Sequence, residues 1–425
     1  MDRPVFIKNA SQLVTLAGNI KSPRIKAEMS DLQIIDNGGV WLEEGIVQAV
    51  GKTSDLHEEY TDRLSQADII DASGLLVTPG LVDPHTHLVF AGSRETEFNQ
   101  RLEGATYMDI MNHGGGIYAT TEAVKQASHS QLFQESWERL NGFLLQGVTT
   151  VEAKSGYGLD WNTERKQLEV AKELHEKHPV DVVSTFMGAH AVPSHFKENP
   201  EGFVELIIKE MIPAVAQSKL AEFNDVFCEK GVFTPEQAKK ILEAGKKHGL
   251  QAKIHADEIE PYEGAELASE IGAISADHLL EASHDGMKKM AAAGVVAVLL
   301  PGTAYFLMKR FADARKMINL GVPVALSTDC NPGSSPSVSL PFMMNLACMN
   351  MGMSPAEVIT AATINAAHAI DRAKEIGSIE VGKKADITIF DVNHFAKLQY
   401  FYGVNHTHIV IKKGRIVVRG GKLVE

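Results

Sequence analysis

From residue 80 onward, short runs rich in β-branched residues alternate with longer segments whose apolar positions recur at helical spacing. That alternation predicts parallel strands joined by crossover helices. Eight such runs are legible: Val82–Leu88, Val148–Glu152, Asp181–Met187, Phe223–Cys228, Gln251–His255, Ile274–Asp277, Val295–Leu300 and Pro323–Thr328. Parallel strands in this number predict a closed (β/α)8 barrel of the TIM type. The helices between them carry start and stop signals. Thr234-Pro235-Glu236-Gln237 and Ser354-Pro355-Ala356-Glu357 are capping boxes with proline at the first helical position, and Gly249 after Lys246-Lys247-His248 is a helix stop.

The two ends of the chain read differently. Gly39–Val50, Ala385–Phe390 and His408–Val418, the last with a Lys412-Lys413-Gly414 turn, alternate or are β-rich, and both ends predict antiparallel sheet. Neither end has enough strands to be stable alone. The pattern therefore pairs residues 1–78 with 377–425 in one small β domain, with a barrel over 79–376 inserted between its halves. No repeat of fixed period suggests a solenoid.

Length agrees with this division, since 425 residues at 44% hydrophobic exceed the ~250 of a typical single barrel. The longest near-continuous apolar stretch, Gly294–Leu300, stops at Pro301, well short of the roughly 18 residues of a membrane span. Met1-Asp2-Arg3-Pro4 lacks the pattern of a secretory signal, so a cytoplasmic protein without membrane partners is expected. Cys228, Cys330 and Cys348 form neither a disulfide framework nor a paired zinc spacing. A net charge of −13 without a basic run argues against nucleic acid. An anionic substrate would then need its own cation inside a pocket.

Polar residues at the carboxyl ends of barrel strands face the active site. The first strand carries Asp83-Pro84-His85-Thr86-His87, where a side-chain period of two points both imidazoles to one side. The fifth strand ends at His255, the sixth at Asp277-His278 and the eighth at Ser327-Thr328-Asp329. Imidazoles and a carboxylate converging from separate strand ends suit zinc or ferrous iron with a position left for water.

With these residues the chain resembles the amidohydrolase superfamily, through Pro84-His85-Thr86-His87, the later histidines, Ser327-Thr328-Asp329, the helix Ser354–Ala369 with Thr363-Ile364-Asn365, and Gly382-Lys383-Lys384-Ala385-Asp386. Within it, the closer likeness is to members that open a small cyclic amide. It is carried by Phe90-Ala91-Gly92-Ser93-Arg94, Glu152-Ala153-Lys154-Ser155-Gly156-Tyr157-Gly158, Gly188-Ala189-His190, His255-Ala256-Asp257-Glu258 and Asp329-Cys330-Asn331-Pro332-Gly333. The resemblance implies hydrolysis of 4-imidazolone-5-propanoate to N-formimidoyl-glutamate, one divalent zinc or iron ion per chain held by His85, His87, His255 and Asp329, and a homodimer. His278 would bind the metal or the reacting carbonyl.

Ring opening needs activated water, a polarised carbonyl, a proton for the leaving nitrogen and a grip on the propionate tail. Asp329 and Glu258 are the candidate bases, and His278 and His190 the candidates to stabilise an oxyanion. Arg94 offers a planar cation for the tail, while Tyr107 and Tyr157 would cover the ring. Asn331, Gly333 and Ser334 line the loop after strand eight as further substrate-binding candidates. Some members of the superfamily hold two metals bridged by a carboxylated lysine near the fourth strand, but neither Lys230, which passes into a Gly231 turn and reads as solvated, nor Lys154 is taken for one, and one metal is the expectation. The metal set alone leaves open another cyclic amidase or a heterocycle deaminase. A catalytically silent barrel acting as a binding protein predicts a damaged ligand set instead, which is not seen.

Overall fold

A computed structural model describes residues 3–18, 20–104 and 115–424 of the chain. Its strands run in chain order as β1 (Val5–Val14), β2 (Ile34–Glu43), β3 (Ile46–Lys52), β4 (Asp68–Asp71), β5 (Leu76–Pro79), β6 (Leu81–Thr86), β7 (Val148–Lys154), β8 (Asp181–Ala189) and β9 (Phe223–Cys228). There follow β10 (Gln251–Ala256), β11 (Ser275–His278), β12 (Val296–Leu299), β13 (Val324–Leu326), β14 (Ile387–Phe390), β15 (Thr407–Lys412), β16 (Arg415–Arg419) and β17 (Lys422–Leu423). Strands β6 to β13 form an eight-stranded sheet in sequential order, parallel throughout. Its two edges meet. Asp329 N–H donates to His85 O at 3.1 Å and His87 N–H to Cys330 O at 3.0 Å, which brings the ends of the first and last strands together. Asp83 reinforces the seam from inside, accepting from the Ser327 hydroxyl and from Thr328 N–H.

The eight predicted strands are all present, displaced at their ends by at most two residues. Both capping boxes form, with Gln237 N–H donating to the Thr234 hydroxyl oxygen at 3.3 Å and Glu357 N–H to that of Ser354 at 3.3 Å. Gly249 has φ +85°, the left-handed value a helix stop requires. The expected helix Ser354–Ala369 is instead two, Pro355–Ala361 and Ile364–Ala369, because Thr363 leaves helical geometry at φ −132°, ψ −96°. The break lets Asn365 bind outward: its amide accepts from Arg24 N–H and donates to Arg24 O and Val324 O, tying an early loop to the last barrel strand.

The remaining nine strands form a second sheet from both chain ends, in the order β17-β16-β15-β14-β5-β1-β2-β3 with β4 beside β1. It is mixed rather than antiparallel. β1 pairs in parallel with β4 and β5, because the chain returns to β1 through the Thr53–Glu59 helix instead of a hairpin. Buried Val, Ile and Leu from both ends make its core. It docks on the barrel's amino end, where Lys412 Nζ lies 2.6 Å from Asp386 and 2.9 Å from Asp181, the first residue of β8. No helix among the described residues is long and apolar enough to cross a membrane.

Candidate metal centre

Five side chains meet at the carboxyl end of the barrel: His85 and His87 from β6 and just beyond it, His255 from β10, His278 from β11 and Asp329 after β13. All are buried at 3% exposure or less. The donor atoms of His85, His87 and His255 lie within 4.8 Å of one another, as do those of His85, His278 and Asp329. Asp329 Oδ1 is 3.4 Å from His85 Nε2 and 3.7 Å from His87 Nε2. Two of these positions hold left-handed backbone, His278 at φ +76° and Asp329 at φ +52°, a conformation costly for side-chain-bearing residues and frequent at functional sites.

A divalent cation fits this set. His85 Nε2, His87 Nδ1, His255 Nε2, His278 Nδ1 and Asp329 Oδ1 are all buried without a hydrogen-bond partner among the described residues. Each such atom costs roughly 1–3 kcal/mol unless something satisfies it. For two imidazoles the tautomer is settled by the opposite nitrogen. His85 Nδ1 donates to Asp277 at 2.6 Å and His255 Nδ1 to Asp225 at 3.0 Å, so each Nε2 keeps a free lone pair. Burial also holds His85, His87 and His278 well below the ordinary imidazole pKa, hence neutral. Burial would lower His255 as well, but the Asp225 carboxylate beside it wins and raises it.

Asp329 is fixed by Thr303, whose hydroxyl donates to Oδ2 at 2.5 Å, and burial pushes its carboxyl up to about 6. Glu258 stands 3.6 Å from His278 Nε2, and burial with the charge of Asp329 pushes it up to about 8. His190 stacks on His87 with centroids 4.9 Å apart, and its Nδ1 meets Gly156 O at 3.0 Å. A carbonyl only accepts, so Nδ1 carries the hydrogen. Burial holds His190 down at about 3, so the neutral ring offers Nε2 as an acceptor. That geometry disfavours the expected oxyanion role and suits acceptance of an N–H from a bound ring. Tyr157 lies 5.4 Å from His87 and from His190.

Arg94 is engaged with Glu97 at 2.6 Å and lies against the loop after β13, where a Cβ on Gly333 would meet its Nη1 at 2.0 Å. Asn331 spends its side chain on that loop: Oδ1 accepts from Gly333 and Ser334 N–H, both at 2.8 Å, and Nδ2 donates to Asp329 O at 2.7 Å. The Ser334 hydroxyl bonds to Asn331 as well. Tyr107 lies outside the described residues.

Sequence reasoning missed Thr303, and it missed Glu164, whose carboxylate accepts from Gly156, Gly158 and Leu159 N–H and so folds the loop bearing Tyr157. Lys230 is an exposed partner of Glu260. Lys154 is buried among Glu152, Asp225 and Asp277, carboxylates that favour an ammonium and would repel a carbamate. Charged residues at alternating positions inside buried strands (Glu152, Lys154; Lys253, His255) were the signal for this cluster.

A parallel barrel gathering imidazoles and a carboxylate at its carboxyl end defines the class, the metal-dependent amidohydrolases, and the Amidohydrolase family model matches residues 76–417. Over their full length, chains named imidazolonepropionase are similar: 67% identical in Brevibacillus brevis, with 100% of both chains covered, and 48% in Clostridium tetani, with 98% of each. A third, from Geobacillus sp., is 65% identical with 99% of each chain covered. The chain belongs to the imidazolonepropionase family. Among solved structures, a triazine hydrolase variant matches with TM-score 0.73 at 15% identity, covering 100% of this chain and 96% of that one. An adenosine deaminase from Xanthomonas campestris with bound zinc matches with TM-score 0.73 at 17% identity, covering 99% and 94%. Those likenesses speak for the fold.

Proposed function

We propose that the chain hydrolyses the cyclic amide of 4-imidazolone-5-propanoate to N-formimidoyl-L-glutamate in histidine degradation, with one zinc or ferrous ion per chain. The observation that carries this reading is the set of five buried donor atoms at one barrel end that have no partner among the described residues, in a chain 48–67% identical to imidazolonepropionases. His85, His87, His255 and Asp329 would hold the metal, leaving His278 free for the reacting carbonyl. A bound ion of this class supplies a water that ionises near neutral pH and a positive charge beside the carbonyl oxygen.

The chain's own residues divide the rest. Asp329 takes the proton released as water adds to the carbonyl carbon. Glu258, still protonated near neutral pH, delivers a proton to the ring nitrogen as the C–N bond breaks, and the proton left on Asp329 then passes back to Glu258, by way of solvent, to restore the starting state. His278 steadies the oxyanion. His190 accepts from the ring N–H, Tyr157 walls the ring, and Arg94 grips the propionate beside Gly333. Asn331 and Ser334 hold that loop in shape. Tyr107 is proposed as a second cover for the ring on the strength of the resemblance.

The boundaries 1–78 and 377–425 for the small domain and 79–376 for the barrel are proposed with this assignment, as are a cytoplasmic location and a homodimer. The deciding assay incubates the purified chain with freshly made imidazolonepropionate and follows loss of ring absorbance. Turnover that chelation abolishes and zinc or ferrous ion restores is expected. Turnover of hydantoins, dihydropyrimidines or aminoheterocycles in its place would overturn the substrate assignment.

A further inference from the structure

Beneath the imidazoles lies a layer of five charged side chains, Glu152 and Lys154 from β7, Asp225 from β9, Lys253 from β10 and Asp277 from β11, none more than 1% exposed. Burying isolated charges is costly, so their arrangement calls for a reason. Lys154 sits at its centre. Its Nζ is 2.9 Å from Glu152 Oε1, 2.7 Å from Asp225 Oδ2 and 3.3 Å from Asp277 Oδ2. Lys253 Nζ is placed differently, donating to Pro84 O and Ala369 O and lying 3.8 Å from Glu152.

The two aspartates that Lys154 joins are the two that accept from His255 Nδ1 and His85 Nδ1. Asp225 is used on both sides at once: Oδ1 faces His255 and Oδ2 faces the ammonium. Asp277 presents Oδ2 to both His85 and Lys154, while its Oδ1 accepts from the Ser275 hydroxyl at 2.7 Å. One side chain from the second barrel strand thus reaches across the interior to the fourth and sixth, and through them to imidazoles on the first and fifth.

We propose that Lys154 is a positioning residue of the metal centre: its ammonium clamps Asp225 and Asp277 so that His255 and His85 are held with Nε2 aimed at the metal. Without this cation, Asp225 and Asp277 have no ammonium within ion-pair distance among the described residues, since Lys253 reaches only Glu152, at 3.8 Å. Like charges at the barrel axis then repel, and the cheapest relief is for Asp225 and Asp277 to swing away from each other and release the imidazoles they orient. Groups that orient ligating histidines typically govern metal affinity by about 10- to 100-fold. The inference rests on the proposed ligand roles of His85 and His255.

The test uses full-length protein stripped of metal, with zinc affinity read by competition with a chromogenic chelator and melting temperature read with and without zinc. Lys154→Met is expected to weaken zinc binding about 10- to 100-fold, and to shrink the rise in melting temperature that zinc confers. A purely structural role would lower both melting temperatures together and leave that rise intact, which would overturn the proposal. Combining Lys154→Met with Asp225→Asn should weaken zinc little further than the worse single change, because the lysine acts through the aspartate. Independent, multiplying losses would count against it. Lys154→Gln, which keeps hydrogen-bonding capacity, serves if the methionine variant does not fold; failure of both to fold would assign Lys154 to the core and overturn the proposal. His255→Ala separates the two readings. If it binds zinc like the unaltered chain, the metal centre itself is misassigned, whereas weak binding by His255→Ala with normal binding by Lys154→Met rejects the lysine's role alone.

Discussion

The Thr303 hydroxyl lies 2.5 Å from one carboxylate oxygen of Asp329, and the other oxygen has no hydrogen-bond partner among the described residues. A carboxylate anchored on one side presents its second oxygen in a fixed direction. Thr303→Val keeps the shape and removes only the donor, so Asp329 gains rotational freedom. Activity should fall about 10- to 100-fold with the melting temperature nearly unchanged. Wild-type kcat and metal content in this variant would show that Asp329 needs no such anchor.

Arg94 and Gly333 make a linked prediction. Arg94→Met removes a grip used equally in ground and transition states, so KM for imidazolonepropionate should rise while kcat stays largely intact. Gly333→Ala should act in the same direction without touching a charge, because its Cβ would meet Arg94 Nη1 at 2.0 Å and push the guanidinium aside. Steady-state kinetics on the two variants check this. An unchanged KM in Arg94→Met would remove the tail-binding role.

Glu258→Gln should lower kcat by about 10²- to 10⁴-fold, the usual contribution of proton transfer, and leave metal content normal. Its effect on stability has a definite sign. The folded value of about 8 lies above the ordinary 4.5, so the group's contribution is fully present below the ordinary value and lost as pH rises through the folded one. Metal-free wild-type protein should therefore lose more melting temperature between pH 5 and 9 than metal-free Glu258→Gln. Equal losses would mean that the carboxyl is not held protonated.

Asp181 titrates the other way. Burial would raise it, but Lys412, Lys413 and Lys384 outweigh burial and hold it well below the carboxylate range. Its stabilising contribution is present above about 3.8, the ordinary value, and disappears as pH falls through the depressed one. Asp181→Asn should cost about 2 kcal/mol near neutrality, the scale of a hydrogen bond to a charged group, and blunt the loss of stability in acid. Since the residue lies at the opposite end of the barrel from the metal centre, kcat well below the melting temperature should not change. Denaturant unfolding and kinetics on the same sample separate the two effects.

How much of this was legible in the sequence depended on the range of the interaction. Phe223–Cys228 was placed correctly because a strand's period and its flanking turns are local signals. His85, His87, His255, His278 and Asp329 were found because strand ends share one face, so a one-dimensional pattern translates directly into a cluster. β1 escaped, since Val5–Val14 does not alternate and its identity as a strand depends on partners as distant as Leu76 and Val77. For Lys154 the sequence gives no role in place of the rejected metal bridge, because nothing nearby in the chain announces Asp225 and Asp277. A charge inside a buried strand has meaning only with its partners, and here they come from other strands. The tautomer of His190 likewise hangs on a carbonyl 34 residues away.

The small sheet is stitched from strands whose residues stand more than 300 positions apart, as where Thr78 meets Thr388, 310 positions on. During synthesis, then, β1 to β5 emerge with their apolar faces uncovered and wait while the whole barrel is made. Contacts of such separation form late and carry the largest loop-closure cost. On a ribosome adding about 5–20 residues per second, that wait lasts some tens of seconds. The early strands are therefore the part of the nascent chain most in need of a chaperone, and the pairing of β5 with β14 is the event that ends their exposure.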